Sequence, residues 1–431
     1  MTHPATQVKG NHRRHLGEPE CSTDCNWPVQ SERSIKACFV DTPKHILYSH
    51  GASKRIPSRS FTLIIKSIEV RVCQNRREAM TDGEMGAGGK SNFDFLVISM
   101  KTDAGVEGHS FGFAGRGAEM AGSIAASVLK PFFEGKDPLF REKHWQDFRT
   151  YDRWWNHVPI YAYGPFDICL WDIAGQISGL PLYKLLGAYR TKVPVYASSF
   201  VLDSPENYAK QALEVKTLGW HAYKLHPPGK VDFDLAAYRA CREAVGPDFK
   251  LMADPVAAYS YEEAIRVGRE LERLNFYWLE EPLPDVNFHG LKKLAVKLDI
   301  PICGTEVLAG SHYSTAQCIS DAVVDIVRTD VSWKGGVTPV MKTAHLAESF
   351  GVRCELHTAI YHPLEIVNLQ CCAAISNCEF LELLYPVSYM NFGMMRAIDI
   401  DAGGYAHVPE TPGIGVEWDW DFIENCTIKV I

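Results

Sequence analysis

Two rhythms of apolar and polar positions divide the chain. From "KVPVYASSF" onward, short β-branched and aromatic runs alternate with amphipathic stretches: "HAYKLH" then 233–245, "KLMADPV" then 260–274, "FYWLEEP" then 288–298, and "IPICGTE" then 311–319. The series continues with "DIVRTD" then 338–350, "VRCELHT" then 362–376, and closes on "FLELLY". Eight strand-like runs between 193 and 385 predict parallel strands with crossover helices. That number favours a barrel over an open sheet.

The earlier part reads differently. "FTLIIKSIEVRV" and "FDFLVISMKTDAGVEG" predict antiparallel strands joined through a glycine-rich segment, 82–90, with the character of a mobile loop. Residues 117–185 predict helices. The most apolar, "YGPFDICLWDIAGQISGLPLYKLLG", is expected to stop at Gly187. Residues 1–58 are polar and aperiodic, the pattern of a disordered or over-long leader. The expected organisation is therefore 59–190 as the first part of an α+β domain, 191–385 as the barrel, and 386–431 as a segment returning to the first domain.

Composition narrows the function classes. The 431 residues are 46% hydrophobic and 22% charged, an ordinary globular balance. A formal charge of −8 without a basic stripe argues against nucleic-acid binding. No apolar run of membrane-spanning length and no signal-peptide pattern occurs, so a cytoplasmic protein is expected. Thirteen irregularly spaced cysteines, Cys371 and Cys372 adjacent among them, read as reduced thiols. Cys21 and Cys25 lie near His12 and His15, but no second pair completes a zinc site.

The chemistry lies at the strand ends. Asp254, Glu280 and Glu306 close three successive strand runs at equal intervals of 26 residues. Such spacing places three carboxylates at one height on neighbouring strands, at the C-terminal mouth where barrel active sites lie. Converging carboxylates need a cation, and hard oxygen ligands favour Mg²⁺ over zinc. Glu281 neighbours Glu280 but faces the other way, as a supporting carboxylate. One strand earlier, Lys224 and His226 share a face; one and two strands later come Asp330 and His357. A carboxylate beside an imidazole fixes its tautomer and raises its basicity. Acid/base groups on both sides of a metal suit proton abstraction next to a carboxylate, through a metal-stabilised enediolate.

These motifs together, "AYKLH", "LMADP", "WLEEP", "ICGTE", "DVSWKGGVTPVMKTAHLAESFGV" and "ELHT", resemble the mandelate racemase-like subgroup of the enolase superfamily over roughly residues 62–431. The resemblance implies a modified (β/α)8 barrel, (β/α)7β, of the TIM type under an α+β capping domain. It implies one Mg²⁺ on Asp254, Glu280 and Glu306, and a dyad of His357 with Asp330. Glu382 in "FLELL" matches the position that hydrogen-bonds the substrate carboxylate, and Ser198 is a supporting candidate. Segments 79–92 and 112–118 resemble mobile cap loops; Arg116 is a candidate for a distal substrate contact, with Trp154, Trp155 and His157 nearby. A homo-oligomer, from dimer to octamer, is expected. The departure is His226, where many relatives carry the second lysine of Lys-x-Lys; its unperturbed pKa near 6.5 suits proton transfer at neutral pH.

The subgroup implies Mg²⁺-dependent dehydration of an acid sugar, an aldonate or aldarate, to a 2-keto-3-deoxy acid; Lys224, His226 and His357 are the candidate bases, and His226 is the first choice among them. The alternative is an isomerase: a racemase or epimerase of a 2-hydroxy acid, or a sugar-lactone cycloisomerase. A non-catalytic metal-binding role is disfavoured, because acid/base groups flank the carboxylates on both sides.

Overall fold

The computed structural model describes residues 62–75, 93–115, 117–153 and 158–431. Four strands form the first sheet: β1 (Ile65–Asn75), β2 (Phe93–Thr102), β3 (Glu107–Gly115) and, from the far end of the chain, Thr427–Val430. Their order places Thr427–Val430 beside β1, then β2, then β3, all antiparallel. Alternate residues of β1 (Ile68, Val70 and Val72) are buried with Leu96 and Ile98 against a helical layer that includes Trp145 and Phe166.

The helix facing this sheet, Ile160–Ser178, explains two departures from the sequence reading. Glycines near 112 suggested a loop, yet Gly108 and Gly112 lie inside β3. A Cβ at Gly108 would stand 2.5 Å from the Cys169 carbonyl oxygen, and one at Gly112 would stand 2.9 Å from Pro165 Cγ. These glycines permit close strand–helix packing rather than a turn. The helix also stops at Gly179 (φ +67°), not at Gly187, because Pro181 follows two residues later.

Eight parallel strands follow: β4 (Lys192–Ser199), β5 (Ala222–Leu225), β6 (Lys250–Ala253), β7 (Trp278–Glu280), β8 (Ile302–Gly304), β9 (Ile326–Thr329), β10 (Arg353–Leu356) and β11 (Leu381–Tyr385). A helix follows each of the first seven, giving the (β/α)7β arrangement. The first of these helices, Pro205–Thr217, was not foreseen, although its start is well marked. Ser204 caps it by accepting from the Asn207 N–H at 3.2 Å, and Pro205 occupies the first turn. β12 (Tyr405–His407) adds antiparallel to β4, and the strand Thr427–Val430 is β13.

The ladder runs from β10 through β9, β8, β7, β6, β5 and β4 to β11. Among the described residues no ladder joins β10 to β11. Isolated bonds span that seam instead: the buried Glu355 carboxylate accepts the N–H groups of Glu379 (3.1 Å) and Phe380 (3.3 Å), and the Cys354 backbone N–H donates to the Asn377 carbonyl at 2.8 Å.

The period of two along each strand separates core from site. Tyr223 and Leu225 of β5, Leu251 and Ala253 of β6, and Leu279 of β7 pack outward against the helices. Tyr196, Ala222, Met252, Trp278, Cys303, Ile326 and Phe380 form an apolar plug inside the barrel. Two residues further along the same faces come Ser198, Lys224, Asp254, Glu280, Arg328 and Glu382. The cap is tied on through Asp167, whose carboxylate accepts the Thr338 N–H (2.8 Å) and hydroxyl (2.6 Å).

Arg116, Trp154, Trp155, His157, segment 79–92, Cys21, Cys25 and the leader lie outside the described residues. Cys371 and Cys372 are buried thiols, not a disulfide. No helix among the described residues is long and apolar enough to cross a membrane.

Candidate active site

Asp254, Glu280 and Glu306 are brought together at the barrel mouth. One carboxylate oxygen from each lies within 4.8 Å of the others, and all three residues are buried. Asp254 directly follows β6 and Glu280 ends β7, so strand alternation alone points both inward. Glu306 does not fit that alternation, since Cys303 is the inward residue of β8. Thr305 corrects the parity by adopting φ +80°, a region that β-branched residues rarely enter. Its hydroxyl holds it there, donating to the Arg328 carbonyl and accepting the Arg328 N–H, each at 3.1 Å. Glu281, also at positive φ, accepts the Glu306 N–H at 2.9 Å, which further fixes the third carboxylate.

Charge is distributed unevenly over this triad. Lys224, fully buried, stands 3.2 Å from Asp254 Oδ2, 2.9 Å from Glu280 Oε1 and 2.9 Å from Glu382 Oε1. Burial alone would depress its pKa, but Glu280, Glu382 and Asp254 together outweigh burial and raise it. Burial acts upward on Asp254 too, yet Lys224 and His226 hold its carboxyl well below the usual range. At the other end, burial and the carboxylates of Glu281, Glu280 and Asp254 push Glu306 well above it. The mouth thus has three hard oxygen donors and too little positive charge at the Glu306 end. These residues fit Mg²⁺.

An imidazole meets each end of the triad. His226 Nε2 is 3.0 Å from Asp254 Oδ2, while its Nδ1 lies 2.6 Å from the Ser199 carbonyl. A carbonyl only accepts, so Nδ1 carries a hydrogen, and Nε2 faces the site against the Asp254 carboxylate. Ser198 Oγ lies 3.4 Å from Nδ1, and the Ser199 hydroxyl accepts the His226 N–H at 2.9 Å. Ser198 therefore lies behind the imidazole. Opposite, His357 Nε2 is 3.1 Å from Glu306 Oε1, and Trp333 lies across its ring with centroids 4.8 Å apart. Asp330 uses Oδ1 to accept the Ser332 and Trp333 N–H groups, both at 2.7 Å, and turns Oδ2 toward His357 Nδ1.

Glu382 sits below this level. Its oxygens are engaged by Lys224, by the Arg328 guanidinium and by the Thr358 N–H (3.1 Å), so it organises cations under the triad. Arg328 escaped the sequence reading. It is fully buried, 3.0 Å from Glu280 Oε1, and donates to the Tyr196 hydroxyl at 3.3 Å. The available signal was parity: Arg328 precedes Asp330 by two residues and shares its face. Lys334 was also missed. It is almost fully buried and ties the loop after β9 to the loop after β8 by donating to the Leu308 carbonyl at 2.6 Å.

Comparison with known proteins agrees with this geometry. Residues 67–187 match the family model "Mandelate racemase / muconate lactonizing enzyme, N-terminal domain", and residues 207–422 match "Enolase C-terminal domain-like". The chain is 28% identical over 330 residues to the arabinonate dehydratase of Saccharolobus solfataricus, covering 75% of this chain and 87% of that protein. It is 30% identical over 302 residues to the D-galactarolactone cycloisomerase of Agrobacterium fabrum, covering 67% and 80%. Among solved structures, the magnesium complex of D-glucarate dehydratase from Agrobacterium tumefaciens aligns with a TM-score of 0.77 at 35% identity, over 85% of this chain and 99% of that one. The chain belongs to the mandelate racemase / muconate lactonizing enzyme family of the enolase superfamily.

Proposed function

We propose that the protein is a Mg²⁺-dependent dehydratase that converts an acid sugar to a 2-keto-3-deoxy acid. The observation that carries this reading is the pair of imidazoles, whose Nε2 atoms reach opposite ends of one carboxylate triad. Dehydration needs a base at the α-carbon and an acid at the β-hydroxyl, and this arrangement supplies both. The dehydratases among the relatives support the same assignment.

Asp254, Glu280 and Glu306 would hold the ion, which supplies positive charge against the charge developing on the substrate carboxylate. His226 Nε2 takes the α-proton, its ring held by the Ser199 carbonyl. His357 gives a proton to the β-hydroxyl, which departs as water while the Cα–Cβ double bond forms. The resulting enol takes a proton at the β-carbon and becomes the 2-keto acid. Lys224, surrounded by three carboxylates, balances their charge and is not the base.

Purified protein with Mg²⁺ and a library of acid sugars tests this, with 2-keto acids read as semicarbazones. One member of the library should give product, chelation should stop the reaction and Mg²⁺ should restore it. The cycloisomerase among the relatives favours a second reading, isomerisation on the same site. Product of unchanged mass, or α-deuterium in recovered substrate without any 2-keto acid, would establish that reading instead.

A further inference from the structure

A cavity of about 810 Å³ opens beside Glu306 and runs between the barrel and the cap. It reaches the catalytic centre through Glu306 and Trp333, whose ring lies tilted against His357. Its volume exceeds what the carbons nearest the metal site need, so the rest of a substrate chain has room to extend toward the cap.

The cap side of the lining is electropositive. Arg149 and Arg153 line it, against the single acid Asp152. Arg149 is positioned by stacking, its guanidinium carbon 3.9 Å from the centre of the Tyr313 ring. The barrel side contributes the start of helix Ser311–Ser320, where Gly310 (φ +92°) provides no side-chain cap. An uncapped helix start presents N–H groups and the positive end of the helix dipole. Ser311 lines the same cavity, is 1% exposed, and its hydroxyl has no hydrogen-bond partner among the described residues. Buried hydroxyls without partners are uncommon.

Near the triad, a metal ion held by Asp254, Glu280 and Glu306 would account for one carboxylate of an acid sugar. Two arginines, an uncapped helix start and an unpartnered hydroxyl elsewhere on the same cavity lining match a second anionic group. We propose that this wall receives the distal carboxylate of a dicarboxylic acid sugar, so that the substrate is an aldarate and not an aldonate. The assignment rests on the dehydratase reading for the reaction, but on Arg149, Arg153 and Ser311 for the substrate class.

Matched pairs of diacid and monoacid, glucarate with gluconate and galactarate with galactonate, test it on the full chain with Mg²⁺. Binding to the His357→Asn protein is measured by calorimetry, and kcat/KM on the unaltered protein. The diacid of at least one pair should bind and react about tenfold or more better than its monoacid. Arg149→Gln and Arg153→Gln should each reduce that ratio, with the loss carried mainly by KM. Equal binding within the pairs, no binding to any of the four, or a ratio untouched in both variants would overturn the assignment. The two readings fail separately. A diacid preference in binding without any 2-keto product removes the dehydratase reading alone. A 2-keto product from both members of a pair at equal kcat/KM removes this one alone.

Discussion

Asp330 Oδ2 and His357 Nδ1 face each other at 3.7 Å, and neither atom has a hydrogen-bond partner among the described residues. The carboxylate's other oxygen is pinned by two backbone N–H groups, so its orientation is set before any substrate arrives. A contraction of under 1 Å would complete the bond, which would orient the ring and support its protonated form. Asp330→Asn should therefore lower kcat by about 10²-fold or more with little change in KM. A KM effect alone, in steady-state kinetics, would show that Asp330 does not act through His357.

The two imidazoles should separate by function. His226→Asn should abolish exchange of the substrate α-proton with solvent. His357→Asn should retain exchange while elimination falls by about 10²–10⁴-fold. Proton NMR in D2O distinguishes the two, and wild-type turnover in both variants would end the acid/base assignment.

Lys224→Met removes the ammonium group that touches Asp254, Glu280 and Glu382. Removing one partner from a buried ionic cluster leaves uncompensated charge and costs about 3–5 kcal/mol. Urea unfolding in chelator should show that loss, and added Mg²⁺ should recover part of it. Unchanged stability in chelator would mean that the cluster is not charge-balanced by Lys224.

Thr305→Gly separates backbone strain from hydrogen bonding at the turn that swings Glu306 inward. Glycine adopts φ +80° without penalty but forfeits the two bonds to Arg328. Stability should change by no more than about 1–2 kcal/mol, since relief of strain offsets part of the lost bonding. Mg²⁺ affinity should fall by about tenfold, because Glu306 is held less firmly. A calorimetric Mg²⁺ titration equal to that of the unaltered protein would contradict this account of the turn.

His362 gives a pH dependence away from the carboxylates. It is buried at the start of helix His362–Ala374, and burial lowers its pKa to about 4. The unfolded chain binds that proton near pH 6.5, so the unfolded state is favoured as pH falls from about 6.5 to 4. The contribution is fully present above pH 6.5 and amounts to about 3 kcal/mol at its limit. Asp167 and Asp172, raised by burial to about 6, act oppositely in the same range, so the measurement must be differential. The stability of the unaltered protein minus that of His362→Gln should fall between pH 7 and pH 4. A constant difference would show that His362 is not buried neutral.

Much of this was legible because strand parity and repeat length are written directly in the residues. Lys224 and His226 both reach the same oxygen of Asp254, as a two-residue spacing requires. The 26-residue intervals placed the three carboxylates on adjacent strand ends, yet the inward turn of Glu306 depends on the backbone of Thr305, which no spacing reveals. Arg328 was obscured for another reason: a buried charge at a strand position looks like a solvated one until its partners, Glu280 and Glu382 on other strands, are known. Gly112 misled because a glycine allowing close packing and a glycine allowing a turn are the same residue in a sequence.

The seam at Glu355 gives the barrel the character of a ribbon fastened by a clasp. β11 belongs by its ladder to β4, on the side carrying Ser198, Lys224 and His226, whereas β10 leads into His357. The two walls that would exchange protons with a substrate thus stand on opposite lips of one fastening, crossed by the Glu355 carboxylate, the Arg328–Glu382 pair and the bond from the Thr358 N–H to Glu382. Strand pairing joins these walls the long way round, from β5 to β10, but across the seam no ladder holds them. A substitution at the clasp would retune the gap between the imidazoles without unpairing a strand.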